Sequence, residues 1–316
     1  MQTDDAGLAI EVHGLTKVFT DFWNRPRVQA VDGLDLSIAH GEVYGLLGPN
    51  GSGKSTTIKI LLGLLHPTRG QVRVLGRPPE DVAVKASIGY LPEESHLYQY
   101  LTAWETLDFH GRLSGLARHE RRERTEQLIE TLGLGVAAHR PVGEFSKGMA
   151  RRLGIAQALI NDPALVILDE PTAGLDPVGC REMKDLIVAL ARRGKTVMLS
   201  SHLLADVQDV CGRVGILYAG RLIAQGRVDE MLRMRDRVRL TLPKPDEAEL
   251  AALLSAVRQR SGHEPSVDYP SIGLEEFFLD VVRRAGGAAT GHEPAAYLRD
   301  GPSHRPSPSP ADGSSP

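Results

Sequence analysis

Polar and apolar positions alternate over Leu8–Phe19 (LAIEVHGLTKVF) and again over Leu34–Leu47 (LDLSIAHGEVYGLL), with β-branched residues in both. That two-residue period predicts strands, the second stretch being a pair that turns at His40-Gly41. From Lys54 to Leu65 the apolar period becomes helical; Pro67 and the turn PTRG stop it, and QVRVLG restarts a strand. A charged segment from Thr102 to Leu132 carries apolar residues at helical spacing and predicts a small helical subdomain. Helix over Lys147–Ile160, the apolar strand ALVILD, helix over Pro177–Arg193, the strand KTVMLSS and helix from His202 to Val210 follow in turn. Two short strands, RVGILY and RLIAQG, form a hairpin at Ala219-Gly220. Apolar strands interleaved with helices predict an α/β fold with a mostly parallel sheet.

Beyond Met234 the pattern changes. VRLTL predicts a strand, and Glu247–Arg260 and Gly273–Arg284 predict helices, a small α+β appendage over 233–285. From 286 to 316 the chain turns to Gly, Ala, Pro and Ser, ending HRPSPSPADGSSP. So few apolar groups do not offset the entropy of ordering, which predicts a disordered tail. The main domain is expected over 8–232, with its helical subdomain over about 93–160.

Composition narrows the classes. The chain has 316 residues, 41% of them hydrophobic and 24% charged, enough for a large core plus an appendage. A formal net charge of −3 lacks the basic footprint of a nucleic-acid binder, so no nucleic-acid partner is expected. Cys180 and Cys211 have no metal-like pairing and read as reduced structural thiols. No apolar run reaches the roughly 18 residues of a membrane span, and the start MQTDDAGLAI is acidic where a signal peptide is basic.

Chemistry enters at GPNGSGKST, which follows the strand EVYGLL and opens a helix. The run Gly48, Pro49, Asn50, Gly51, Ser52, Gly53, Lys54, Ser55, Thr56 matches G-x-x-x-x-G-K-[ST] in its required context. Its glycines permit positive φ and close approach to a phosphate, and the helix start adds about half a positive charge. Lys54 suits the β- and γ-phosphates of a nucleotide and the Ser55 hydroxyl suits Mg²⁺. In LVILDE, Asp169 and Glu170 end a buried strand, where ligands of open α/β sheets bind. Asp169 suits the Mg²⁺ and Glu170 the role of general base toward water.

With these residues assembled, the chain resembles an ATP-binding-cassette (ABC) ATPase over about Leu8–Leu232. GPNGSGKST is similar to the Walker A loop, LVILDE to Walker B with its catalytic Glu, and FSKGM to the signature written LSGGQ. AGLD, Ala173 to Asp176, is similar to the D-loop, and His202 in LSSHLL to the switch histidine. IGYLPEE, FSKGMARRLGIAQAL and LEEFF resemble drug- and multidrug-export subunits. The resemblance implies a P-loop NTPase fold with an N-terminal antiparallel β subdomain and a helical subdomain. It implies a head-to-tail pair of ATPase subunits, identical or paralogous, and a separate transmembrane permease that holds them at the cytoplasmic face. Signature residues Ser146, Lys147, Gly148 and Met149 would then face the γ-phosphate bound by the partner, His202 would position water, and Asp176 would couple the two sites. Phe19 in LTKVF matches the aromatic that stacks on adenine, with a core position as the alternative and Phe22 and Trp23 of the long insert TDFWNRPRVQA as rivals.

Blander roles stay open for several of these. Ser146 is also a natural N-cap, Asp176 before Pro177 a turn residue, and His202 a cap or core residue. Glu93 stands where the family's Q-loop has Gln. Two like charges about 4 Å apart repel by about 4 kcal/mol at an effective dielectric near 20. A carboxylate there must ligate Mg²⁺, take up a proton or swing away; ligation is the simplest, and a solvated loop acid is the alternative. Lys147 replaces a signature Gly and Met149 a Gln; Lys opposes the helix dipole unless a phosphate lies close, and a solvated Lys is the alternative. Neither two cassettes in one chain nor a long coiled-coil insert occurs, as ribosome- and DNA-acting relatives would carry, and the GTPase motif N-K-x-D is absent.

Overall fold

The computed structural model describes residues 7–23, 25–233, 242–243, 245–263 and 265–267. Strands β1 (Leu8–Thr20) and β2 (Pro26–Ala39) form a long antiparallel pair, and β4 (Arg69–Val74) joins the other side of β1. The alternation in β1 buries Ala9, Ile10, Val12 and Leu15 while Glu11 and His13 face outward. Between Val12 and Leu15 the register slips at Gly14, whose φ of +57° suits glycine.

A second, six-stranded sheet runs in the order β5 (Ile88–Leu91), β6 (Leu165–Asp169), β7 (Thr196–Ser201), β3 (Val43–Leu47), β8 (Arg213–Tyr218), β9 (Arg221–Arg227). All pairs are parallel except the β8–β9 hairpin. The turn at His40-Gly41 therefore does not fold β2 back on β3: it passes the chain from the antiparallel sheet into the parallel one. Strands β3, β6 and β7 are buried throughout, as continuous apolar runs require when both faces are covered. Their two faces serve two cores. Val166, Leu168, Val197 and Leu199 pack toward the helical side, whereas Leu165, Ile167, Met198 and Leu46 pack toward the antiparallel sheet. Each such side chain contributes about 1.5–3 kcal/mol by leaving water.

The helices are α1 (Lys54–Leu61), α2 (Val82–Ala86), α3 (Ala103–Leu113), α4 (Arg118–Thr131), α5 (Lys147–Leu159), α6 (Pro177–Arg192), α7 (Leu204–Gln208), α8 (Val228–Met231) and α9 (Glu247–Ser261). Helix α5 begins at Lys147 as its apolar spacing predicts and ends at Leu159, one residue before the expected Ile160, which is its C-cap. Helix α3 starts at a capping box between Thr102 and Glu105, which satisfies two backbone donors reciprocally. In α4 Thr125, Leu128 and Ile129 are buried, Arg121 and Arg124 are half-buried and bond inward to Asp108 and the Ile160 carbonyl, and the outer face is charged, with pairs such as Arg122–Glu126.

Several boundaries differ from the sequence reading. Helix α1 ends at Leu61, not Leu65, because Gly63 takes φ +63° with its Cα beside the Pro79 carbonyl, where no Cβ fits. The stretch Thr20–Ala30 is not a free insert: β2 already begins at Pro26, so it is the end of a long hairpin. The helix expected from His202 starts at Leu204, which leaves His202 in the loop after β7. Of the appendage, α9 is described; it has a capping box between Asp246 and Glu249 and stops at Gly262 with φ +68°. The expected strand VRLTL, apart from Leu242, the helix Gly273–Arg284 and the tail 286–316 lie outside the described residues. The chain divides into two compact units, one dominated by residues 1–231 and one spanning 232–289. Among the described residues, no helix is long and apolar enough to cross a membrane.

Candidate functional site

Because β5, β6, β7 and β3 are parallel neighbours, their carboxyl ends meet at one edge, the usual ligand edge of an open α/β sheet. The loops that leave this edge carry Glu93, Asp169–Glu170, His202 and the Gly48–Gly53 loop. Register fixes the alignment: Asp169 lies opposite Ser200, and Leu47 opposite Ser201.

The glycine loop is shaped by its neighbours. A Cβ on Gly48 would lie 2.3 Å from the Leu217 carbonyl oxygen, and one on Gly53, at φ +105°, would lie 2.4 Å from that of Ala30. The β8–β9 turn braces the same loop: Gly220 N–H donates to the Ser52 carbonyl (3.0 Å), and Asp32 N–H donates to the Gly220 carbonyl (2.8 Å). Helix α1 has no side-chain cap, so the amides of its first turn are open to an anion. Ser52 Oγ, buried within the loop, finds no hydrogen-bond partner among the described residues. Pro49, Asn50 and Gly51 are exposed at the rim, and Ser55 and Thr56 are half-buried at the helix start.

Three side chains converge beside this loop. Lys54 Nζ, buried, donates to the Gly48 carbonyl (2.6 Å) and stands 3.6 Å from Glu170 Oε1. The other oxygen of Glu170 is 2.8 Å from His202 Nδ1, while the His202 ring is 44% exposed. The carboxylate only accepts, so Nδ1 carries the proton and the other ring nitrogen is left to face a ligand. Glu170, whose carboxylate meets Lys54 and His202, has its backbone at φ +50°, a left-handed conformation uncommon for a residue with a side chain. Asp169 Oδ1 accepts a short hydrogen bond from Ser200 Oγ, and that hydroxyl also accepts from Glu170 N–H (3.1 Å).

The signature and the D-loop pack together. Ser146 Oγ accepts from Met149 N–H (3.2 Å) and so caps α5, while its own hydroxyl hydrogen remains to donate. Ser146 and Lys147 are exposed, and Gly148 and Met149 half-buried. Lys147 makes no ion pair with a described residue; its Cδ stands 3.9 Å from where a Cβ on Gly174 would be. Asp176 Oδ1 accepts from Gly179 N–H (2.7 Å) and caps α6, with Pro177 at the first helical position. Phe19 is opposite Val28 in the β1–β2 ladder, two residues from Ala30, which touches Gly53; Phe22 and Trp23 lie farther out at the hairpin tip.

Sequence reasoning missed three residues of this site. Ser200 holds both Walker B residues, as described. Lys184 on α6 is buried against Asp206 (3.3 Å) and Asp209 (2.9 Å), and Asp206 in turn accepts from Thr172, two residues after Glu170. Arg151 of α5, buried, donates to carbonyls at both carboxylate-bearing strand ends. One cue to Arg151 exists: the buried positions Gly154, Ile155, Ala158 and Leu159 of α5 extend back by helical steps onto it.

Among the described residues, no group of three or more His, Cys, Asp or Glu side chains could hold a metal ion unaided. One strand-end carboxylate and a helix-start hydroxyl suit Mg²⁺ that arrives with phosphates, since that ion takes few protein ligands there.

Comparison with known proteins agrees with this geometry. A family described as ABC transporter matches residues 31–173. An uncharacterized ABC transporter ATP-binding protein of Synechocystis sp. is 40% identical, over 88% of this chain and 85% of its own. A fluoroquinolones export ATP-binding protein of Mycobacterium tuberculosis is 41% identical, over 73% of this chain and 75% of its own. Among solved structures, a dimeric ATP-binding cassette in a post-hydrolysis state bound to ADP and Pi shares 26% identity at a TM-score of 0.64, covering 69% of this chain and 98% of that one. Identity of this extent along most of both chains makes this protein a member of the ABC transporter ATP-binding subunits, an ATPase built on the cassette fold.

Proposed function

We propose that this subunit hydrolyses Mg²⁺-ATP in a site completed by a second subunit, and that closing and opening of the pair drives export through a separate permease. The observation that carries the reading is the convergence of Lys54, Glu170 and His202 on the open side of the glycine loop. In this arrangement Lys54 turns from the Gly48 carbonyl to the β- and γ-phosphates, which are stronger acceptors for an ammonium. Glu170, aimed by its left-handed backbone, takes the proton of the attacking water, and His202 orients water and γ-phosphate. Ser55 and Asp169 would hold Mg²⁺, with Glu93 reaching the same ion from the loop after β5; the ion neutralises charge on the phosphates. Phe19 is favoured for adenine by its register beside Ala30, and the loop amides of Gly48–Thr56 cradle the phosphates.

Exposed Ser146 with a hydroxyl hydrogen to spare, Lys147 and the start of α5 suit a γ-phosphate held by the partner, whether that partner is a copy or a paralogue. Asp176 joins the same face through the D-loop, which packs on Gly148 through Leu175. Export is supported by the fluoroquinolones export relative and by a daunorubicin/doxorubicin resistance ATP-binding protein of Streptomyces peucetius, 41% identical over 71% of this chain and 66% of its own. The subunit would act at the cytoplasmic face of the membrane, held there by the permease docking on the segment from Glu93 to Leu132. The main domain is taken as 8–232, with 93–160 as its helical part, 233–285 as an appendage and 286–316 as a tail.

The test is Glu170→Gln. Loss of a general base lowers the rate by roughly 10²–10⁴-fold while ATP still binds. With Mg²⁺-ATP the variant should elute as a stable dimer in size-exclusion chromatography, where the wild-type pair dissociates after hydrolysis. A variant that hydrolyses at the wild-type rate removes Glu170 from this role.

A further inference from the structure

Helix α5 enters the core carrying a guanidinium. Arg151 is 5% exposed, and each of its five N–H donors meets a different backbone carbonyl. Nη1 donates to Pro92 (2.6 Å) and Glu93 (2.8 Å), Nη2 to Asp169 (2.6 Å) and Glu170 (2.6 Å), and Nε to Pro171 (3.2 Å). Two separate chain segments, the ends of β5 and β6, are thereby pinned by one planar group, and no donor is left over. The carboxylates of Asp169, Glu93 and Glu170 all lie near enough to offset, by attraction, part of what burial takes from this cation.

A purely packing role does not account for this choice. An apolar side chain would fill the space without a charge to bury, and the next residue, Arg152, makes an ordinary ion pair with Glu182 on α6. Every acceptor of Arg151 belongs to the segments that bear the site's carboxylates. Glu170 is the residue most in need of restraint, because its left-handed backbone is not one it adopts unaided. It is held from both sides, its N–H by Ser200 and its carbonyl by Arg151.

We propose that Arg151 is a positioning residue that fixes the backbone of Asp169–Glu170 and of Pro92–Glu93 to the helix beginning at Ser146. Arg151 lies five positions after Ser146, about 7.5 Å along the helix. A displacement of that helix end, such as closure on a partner's phosphate, is thus felt at the carboxylates of the same subunit. The proposal rests on Glu170 being the general base.

The experiment compares Arg151→Met and Arg151→Lys with wild type and Glu170→Gln in the full chain. Affinity is read by titration with a fluorescent ATP analogue and turnover by steady-state Mg²⁺-ATPase. Misplacing a catalytic group by about 1 Å lowers turnover on the order of 100-fold. Arg151→Met should show that loss in kcat, with analogue affinity and KM within about threefold of wild type. Arg151→Lys, which keeps the charge and fewer donors, should recover part of the loss and also serves if the Met variant does not fold. Wild-type kcat in both variants overturns the proposal, and so does a parallel loss of affinity and kcat, which marks a residue needed only for folding. If Glu170→Gln hydrolyses normally, the assignment of the base fails; if it is inactive while the Arg151 variants match wild type, the positioning role alone fails.

Discussion

Ser200 offers a quantitative handle on the strand end that bears the carboxylates. It is 0% exposed, its hydroxyl donates to Asp169 Oδ1, and the same oxygen accepts from Glu170 N–H. Ser200→Ala removes both bonds. The bond to an ionised acceptor is worth about 1.5–3 kcal/mol. The second loss is smaller, about 0.5 kcal/mol, because Glu170 N–H retains the Ser200 carbonyl at 3.2 Å. Together they predict a destabilisation of about 2–3.5 kcal/mol. For a domain of this size each kcal/mol lowers Tm by about 2–4 °C, so the midpoint should fall by roughly 4–14 °C. Thermal unfolding followed by circular dichroism reads the shift, with urea titration checking that the m-value is unchanged. The same loss frees Asp169 and Glu170 to shift, so kcat for ATP should fall with Tm. A Tm within about 1 °C of wild type, with undiminished kcat, refutes the reasoning that these two residues depend on Ser200.

Gly53→Ala forces a Cβ within 2.4 Å of the Ala30 carbonyl at a φ of +105°, and should abolish binding of a fluorescent ATP analogue. Lys184→Met leaves Asp206 without its cation and should cost about 2–3 kcal/mol by urea unfolding, less than a fully buried pair because Asp209 is 57% exposed. Burial pulls the Lys184 pKa down, but the hydrogen bonds and charges of Asp209 and Asp206 prevail and raise it above the ordinary 10.5. Its stabilisation is therefore complete below that value and fades as pH climbs through the higher folded pKa, so the wild-type advantage over Lys184→Met should shrink in alkaline titration. Glu93→Gln should loosen the Mg²⁺ requirement of the ATPase; an unchanged rate and Mg²⁺ dependence would make Glu93 an ordinary loop acid. Lys147→Ala should weaken ATP-dependent dimerisation more than ATP binding to the monomer, and equal effects would count against a cation beside the partner's nucleotide.

The parts legible in the sequence were those with local causes. Strands β3, β6 and β7 are short, with apolar runs flanked by breaks, so their burial on both faces could be read directly, though β6 ends in Asp169 and β7 in Ser200 and Ser201. The glycine loop was legible because backbone approach to a phosphate restricts residue type at fixed spacing. Non-local choices were not legible. Nothing in HGEVYGLL says that His40-Gly41 divides two sheets, since that depends on β7 and β8 arriving later to flank β3. The pair Arg151-Arg152 looks like two solvated cations; helical spacing puts Arg151 on the buried side, but what satisfies it there, the carbonyls of Pro92 and Asp169, lies 59 and 18 residues away. Lys184 and Ser200 were passed over for the same reason, their partners lying on other elements.

The brace between Gly220 and the glycine loop bears on how freely this surface can be altered. A two-residue hairpin turn at the end of a sheet is ordinarily where a chain accepts an inserted tag or a changed length. Here Ala219 and Gly220 take φ of +48° and +81°, and the Gly220 amide supports the Ser52 carbonyl from behind. Lengthening that turn would take the support away from the phosphate cradle without touching a residue that meets ATP. In a map of mutational tolerance, the β8–β9 turn should group with the nucleotide site rather than with the other surface loops.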